Sequence, residues 1–244
     1  MKFINLLTTP LLILFCTTLS FGQGFIFGIK GGPSIGIQNW GGFDRDPLIK
    51  YHGILYVESI AEDNSFSLFA QGGYHIRGSA LRNQFAISIG SNDLFRLPTR
   101  EFQFRNASVA VGVKQKYQMR GLLKSYYMVG VRGDYTINTN LQQYEAINLQ
   151  FGTLFYPLDA FVQKWNVGAL LGGGFEFPFS ELIGSSIELT INPDFTFAYR
   201  QPQLNGVYNP FTGNNQTISE RLIRNVTVEL TFGMRFLRKV VYVD

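Results

Sequence analysis

Downstream of Gln23 the sequence repeats with a period of two residues, and it does so in eight separate segments. Phe25, Phe27 and Ile29 alternate with Ile26, Gly28 and Lys30, and Leu55 and Val57 alternate with Ile54, Tyr56 and Glu58. The third segment sets Phe66, Leu68, Ala70, Tyr74 and Ile76 against Ser67, Gln71, His75 and Arg77. The fourth sets Val109, Val111 and Val113 against Ser108, Gly112 and Lys114. The fifth runs Tyr127, Val129 and Val131 against Met128, Gly130, Arg132 and Asp134. Val167, Ala169, Leu171 and Phe175 then alternate with Asn166, Gly168, Gly172 and Glu176. Ile187, Leu189, Ile191, Phe195 and Phe197 alternate with Glu188, Thr190, Asn192, Asp194 and Thr196. The last segment sets Val226, Val228, Leu230, Phe232 and Met234 against Thr227, Glu229, Thr231 and Arg235. Strict alternation is the signature of a strand with two unlike faces. Each segment is long enough to match the ~9–11 residues of a tilted membrane-crossing strand.

The connections alternate too. Ala61–Ser65, Gln118–Lys124 and Pro178–Gly184 are short, whereas 38–49, 81–100, 138–163 and 201–220 are long, beginning with a long one. Short turns at one rim, long loops at the other and an even strand number are the pattern of a bacterial outer-membrane barrel with both chain ends in the periplasm. A soluble barrel has no reason to segregate its loop lengths.

The chemistry of the two faces agrees. One carries aliphatic residues, with Tyr51, Tyr74, Tyr117, Tyr135, Trp165, Phe177, Tyr199 and Phe236 near strand ends, where interfacial aromatics are expected. The other carries Lys30, Glu58, His75, Arg77, Lys114, Arg132, Asp134, Glu176, Glu188, Asp194, Glu229 and Arg235. With His52 added, seven residues that are or can become cationic stand against six acids. Near-balance predicts an internal ion-pair network that fills the lumen, since buried charges are costly unless paired. Glycines on the same face, including Gly28, Gly112, Gly130 and Gly172, supply the room that a narrow barrel needs. The expected fold is all-β, an eight-stranded antiparallel up-and-down transmembrane β-barrel over residues 23–236. A soluble lipocalin-like barrel is the alternative.

Residues 1–22 read as a secretory signal peptide: Lys2, an apolar stretch from Leu6 to Phe15, and Ser20-Phe21-Gly22 before Gln23. The apolar stretch is too short for a membrane anchor. The only cysteine, Cys16, lies inside it, and the large Phe15 argues against lipidation. Composition then closes several classes. Charged residues are only 16% of the chain and aromatics 15%, which excludes disorder. A mean hydropathy of +0.05 is too low for a helical membrane protein. The net charge of +4 is scattered, so no nucleic-acid partner is expected.

No phosphate-binding loop, nucleophile elbow or zinc spacing occurs in a fitting context, and no cofactor or metal is expected. His52 and His75 fall in the inward phase of neighbouring strands, with Ser79 and Glu58 as conceivable partners in a rim-located, lipid-modifying site. The plainer reading of each histidine is a lumen group bonded to a carboxylate. Among the outer loops, Trp40, Phe43, Tyr208 and Phe211 lie among Gly, Asn, Gln and Pro and are candidate external contacts. Residues 237–244 read as a short periplasmic tail, and Thr231, Gly233 and Phe236 resemble the terminal signal shown to the barrel-insertion machinery.

The mature chain resembles the small outer-membrane β-barrel proteins of Bacteroidota, including the PorT-like group. The carriers are Phe21-Gly22-Gln23, Phe27-Gly28-Ile29-Lys30-Gly31-Gly32, and the pair Glu101–Tyr117 and Tyr126–Gly133. The resemblance implies location in the outer membrane, contact with its lipid, and an envelope protein as partner, without enzymatic activity. One branch serves type IX secretion, and Asn106–Ser108 stands where its acidic-proline motif is expected. A narrow, porin-like channel for small solutes is the alternative function.

Overall fold

The computed structural model describes residues 24–40, 45–59, 65–87, 93–119, 121–152, 154–209 and 212–239. The signal segment 1–22, Phe43 and Phe211 lie outside the described residues. Eight long strands form one closed barrel: β1 (Gly24–Gln38), β2 (Asp46–Ser59), β3 (Phe66–Leu81), β4 (Arg100–Gln118), β5 (Lys124–Thr139), β6 (Trp165–Pro178), β7 (Ile183–Pro193) and β8 (Asn225–Lys239). Each pairs antiparallel with its sequence neighbours, and β1 pairs with β8 from Gly24↔Lys239 to Gln38↔Asn225. Closure removes both free edges. The topology is the expected up-and-down barrel. Its last strand continues three residues past the expected boundary at Phe236.

Alternation sorts the side chains as the period of two requires. Outward residues are apolar and exposed, among them Leu55 at 66%, Val109 at 65% and Phe232 at 52%, whereas inward Glu58, Arg77, Arg132 and Glu188 are at most 2% exposed. A protein that hides its charges and shows its aliphatics needs an apolar surrounding. The barrel therefore crosses a membrane with its strands, and the arrangement is that of an outer-membrane protein. No helix among the described residues is long and apolar enough to cross one. Aromatic rings mark the borders of the belt, with Tyr135 and Trp165 4.9 Å apart near the loop end and Tyr117 and Tyr127 5.9 Å apart near the turn end.

The seventh strand differs from expectation. It ends at Pro193, not beyond Phe197: the Asp194 N–H makes one more bond to the Asn225 carbonyl, and past it the chain leaves the sheet. The last outer loop consequently spans 194–224. In it, Tyr199–Gln201 pairs with Arg221–Ile223, and Leu204–Asn209 pairs with Asn214–Ile218. Tyr199, expected in the outer aromatic girdle, is instead fully buried inside the loops.

One backbone feature shapes the outer mouth. The β2–β3 register shifts between Pro47 and His52, and β3 there comes close to β1. A Cβ on Gly36 would sit 2.7 Å from the Gly78 carbonyl oxygen. Gly78 has φ +144°, and a Cβ on it would lie 1.8 Å from the Phe102 oxygen. Only glycine fits at that crossing.

Candidate functional site

The inward charges assemble into two ionic tiers. Nearer the short turns, Lys30 Nζ is 2.6 Å from Glu188 Oε2, and Lys114 Nζ lies 2.9 Å from Glu58 Oε2 and 3.4 Å from Glu188 Oε1. Lys116 pairs with Glu58 and, at 2.9 Å, with Glu176, which also binds Arg235. Ser67 Oγ donates to Glu58 at 2.8 Å, and Tyr126 OH donates to Glu188 at 2.8 Å. Lys114 additionally sits 4.6 Å from the Tyr126 ring centroid.

Nearer the long loops, Arg77 pairs with Asp134, and Arg132 bridges Asp134, at 2.8 Å from Nε, to Asp194. Ser108 Oγ donates to Asp134, and Asn225 Nδ2 donates to Asp194 at 3.0 Å. His75 Nδ1 lies 2.7 Å from Glu229 Oε1 and His52 Nε2 lies 2.9 Å from Thr231 Oγ1, with the two imidazoles stacked at 5.5 Å. Between the tiers, on the β3–β6 side of the lumen, Phe69, Ala110, Met128 and Leu170 form an apolar cluster. All twelve sequence-predicted network residues therefore meet in the barrel interior and have ionic partners there.

Lys116 was missed by the sequence reading, which followed the fourth strand only as far as Lys114. Two residues further along the same phase it faces inward. The proposed partnership of the histidines with Ser79 or Glu58 is not formed. Ser79 Oγ donates to Gln38 Oε1 at 2.8 Å and receives Trp40 Nε1 at 3.1 Å, and Glu58 belongs to the other tier. The hydroxyl that does meet an imidazole is that of buried Thr231, against His52.

Above the outer tier three of the four long connections and the ends of the strands build a cap. Its buried core is Trp40, Phe102, Phe104, Leu141, Tyr144, Tyr199 and Ile223, flanked by Ile147, Tyr156, Phe161 and Val162. Helix α1 (Gln142–Phe151), closed by left-handed Gly152, docks on β4 through Tyr144 OH and Asn140 Nδ2, each 2.8 Å from the Glu101 carbonyl oxygen. Asn148 staples the following loop by two 2.9 Å bonds to the Tyr156 backbone. Leu158 N donates to Tyr199 OH at 3.2 Å, and that hydroxyl donates to Gln201 at 3.0 Å. Burial raises the Tyr199 phenol to about 12. Trp40 ties cap to lumen, since its indole donates to Gln38 at 3.0 Å and Gln38 in turn donates to Asn225 at 2.5 Å.

The cap corrects one expectation directly. Trp40 is 2% exposed and is a core residue, not an external contact. Tyr208, on the exposed hairpin, is 47% exposed and remains available. Arg45 lies over the Phe102 and Trp40 rings at 4.2 and 4.9 Å, and its Nε and Nη1 are buried without an acceptor. Burial, then the nearby charge of Arg221, presses its guanidinium below the ordinary value to about 10, which still leaves a cation at neutral pH.

At the short-turn end a cavity of about 300 Å³ reaches Lys124, Glu176 and Arg235, and the lumen narrows above it. Its central cavity, between His75, Arg77, Arg132, Asn192 and Glu229, has a volume of about 10 Å³. That is room for about one water molecule. Buried Arg77 Nε and Nη2, Arg132 Nη1, Gln71 Oε1 and Asn192 Oδ1 have no side-chain or backbone partner, and all five belong to residues lining that cavity.

A closed eight-stranded barrel with an apolar exterior, a charged interior and folded outer loops defines a small outer-membrane barrel protein. Solved structures of that class are similar to this chain. Neisserial surface protein A matches with a TM-score of 0.45 at 8% identity, over 87% of this chain and 96% of that one. The outer membrane protein OprG from Pseudomonas aeruginosa matches with a TM-score of 0.46 at 10% identity, over 88% and 99%. The outer membrane protease OmpT from Escherichia coli matches with a TM-score of 0.38 at 9% identity, over 89% and 98%. No family model and no curated protein matches the sequence.

Proposed function

We propose that this chain is a sealed outer-membrane barrel that works as a structural or partner-binding element of the envelope, through the surface of its cap. The observation that carries this reading is the construction of the lumen: two ionic tiers with an apolar cluster between them and a hydrophobic cap above, around a central cavity of about 10 Å³. An interior so filled at its centre favours neither a solute path nor a buried substrate pocket there. Its charged side chains are used on one another. What the molecule offers its surroundings is the exposed outer hairpin around Tyr208, carried by the last outer loop.

Kinship with PorT-like barrels, and a role as an accessory of secretion or assembly, belong to the same reading. The kinship rests on Phe27–Gly32 and on the pair Glu101–Tyr117 and Tyr126–Gly133, and the role rests on the kinship alone. Thr231, Gly233 and Phe236 on β8 would engage the insertion machinery during biogenesis.

The test is a photo-crosslinking residue placed at Tyr208, or as a control at lipid-facing Val109, in the full chain within its own membranes. A discrete adduct from position 208 but not from 109, together with a large assembly after mild detergent extraction, is the expected result. A lone monomer without adduct would count against partner binding.

A further inference from the structure

Above the β1–β8 seam the outer rim carries a groove of about 610 Å³. Its membrane side is Ile37 and Val226, register partners that are 45% and 38% exposed and continue the apolar belt of the barrel. Its upper walls include Trp40, Arg221 and Arg224, with Glu220 the single acid lining it among the described residues. Phe197 also lines the groove and lies beneath two guanidinium groups, Arg224 at 4.4 Å and Arg200 at 5.6 Å from its ring centroid.

Two arginines, Arg221 and Arg224, thus line the mouth and a third, Arg200, flanks it across the Phe197 ring, and none forms an ion pair with a described residue. Arg221 is half-buried and lies opposite Gln201, whose amide nitrogen is itself buried without an acceptor. Burial lowers the Arg221 guanidinium from its ordinary value, and Tyr199 opposes that shift. A surplus of cationic donors at headgroup depth, directly above an exposed aliphatic lip, is complementary to one kind of molecule: an anionic headgroup attached to acyl chains.

We propose that the rim groove binds the phosphate-bearing headgroup of an outer-leaflet lipid. Arg221, Arg224 and Arg200 hold the phosphate, and Ile37 and Val226 lie against the first acyl methylenes. Guanidinium forks suit phosphate oxygens because two parallel N–H donors meet two acceptors. Glu220 faces the same space and weakens the pull on a bare anion. The site is independent of the partner-binding reading, since it lies on the lipid-facing side of the seam.

Native mass spectrometry of the full-length protein, freed of lipid and titrated with dioleoyl phosphatidic acid, tests the assignment. One tight site is expected, with dioleoyl phosphatidylcholine failing to fill it. Exposed Arg200 and Arg224 can be changed without touching the cap core. Arg200→Gln and Arg224→Gln should each weaken binding about five-fold, the effect of about one basic residue near a lipid phosphate. Arg221→Lys should weaken it less than Arg221→Gln, and Glu220→Gln should strengthen it. Ile37→Ser with Val226→Ser should lower affinity for the dioleoyl lipid. Unchanged heat-modifiable migration on gels certifies the fold of each variant. Phosphatidic acid binding that ignores the arginine changes would overturn the proposal. So would equal displacement by inorganic phosphate, because a plain anion site needs no acyl lip.

Discussion

Removing Arg132 should unseat the outer tier, and the size of the effect follows from who is left behind. Arg132 is the shared cation of Asp134 and Asp194, and all three side chains are at most 2% exposed. In Arg132→Met, Asp134 keeps Arg77 and Ser108, but Asp194 keeps only the Asn225 backbone and side-chain amides, at 3.4 and 3.0 Å. A buried carboxylate stripped of its cation costs about 3–5 kcal/mol. Lys114→Met provides the contrast. Glu58 retains Lys116 and Ser67, Glu188 retains Lys30 at 2.6 Å and Tyr126, and neither acid is left alone. The loss there should be about 1.5–3 kcal/mol, the scale of a hydrogen bond to a charged group. Adding Asp194→Asn to Arg132→Met should recover most of the first loss, because neutralising both partners removes the orphaned charge. Reversible urea unfolding in phosphatidylcholine vesicles, followed by tryptophan fluorescence and gel migration, measures all three. Equal destabilisation by Arg132→Met and Lys114→Met would refute the tier assignment, as would failure of Asp194→Asn to rescue.

Three further outcomes are expected. Trp40→Ala, which empties the centre of the cap, should cost the cap about 3–5 kcal/mol and make the outer loops sensitive to protease while the barrel keeps its heat-modifiable migration. Gly78→Ala must find space for a Cβ 1.8 Å from the Phe102 oxygen at φ +144°, and should destabilise by at least about 1–3 kcal/mol in the same unfolding assay. Because Tyr199 ionises near 12 in the cap and near 10 when exposed, its contribution is complete below pH 10 and is lost as pH rises toward 12. Cap proteolysis should therefore accelerate across that window, by up to about 2 kcal/mol in opening energy, and Tyr199→Phe should flatten the dependence.

The barrel and its lumen were legible because a strand has only two faces, so one parity assigns every side chain in it. Once Glu58, Lys114 and Glu188 share the inward phase of a narrow barrel, they must meet. The cap was not legible by that rule. Trp40, Leu141, Tyr199 and Ile223 come from three different connections with no common period, and only the surface they jointly bury reveals them. A compositional signal was present nonetheless: solvated loops seldom spend Trp40, Tyr144, Tyr156 and Phe161 together. The seventh strand was drawn too long because alternation continues through Phe195 and Phe197. Pro193, which cannot donate to a ladder, was the stop signal.

The sealed lumen is the central claim, and single-channel recording addresses it most directly. Full-length protein inserted in planar phosphatidylcholine bilayers should give no discrete conductance steps at neutral pH in molar potassium chloride. The Arg132→Met and Trp40→Ala variants, which breach a tier and the cap in turn, should stay silent singly because the other barriers remain. Reproducible unitary conductance from the unmodified protein would contradict the account and make the barrel a channel.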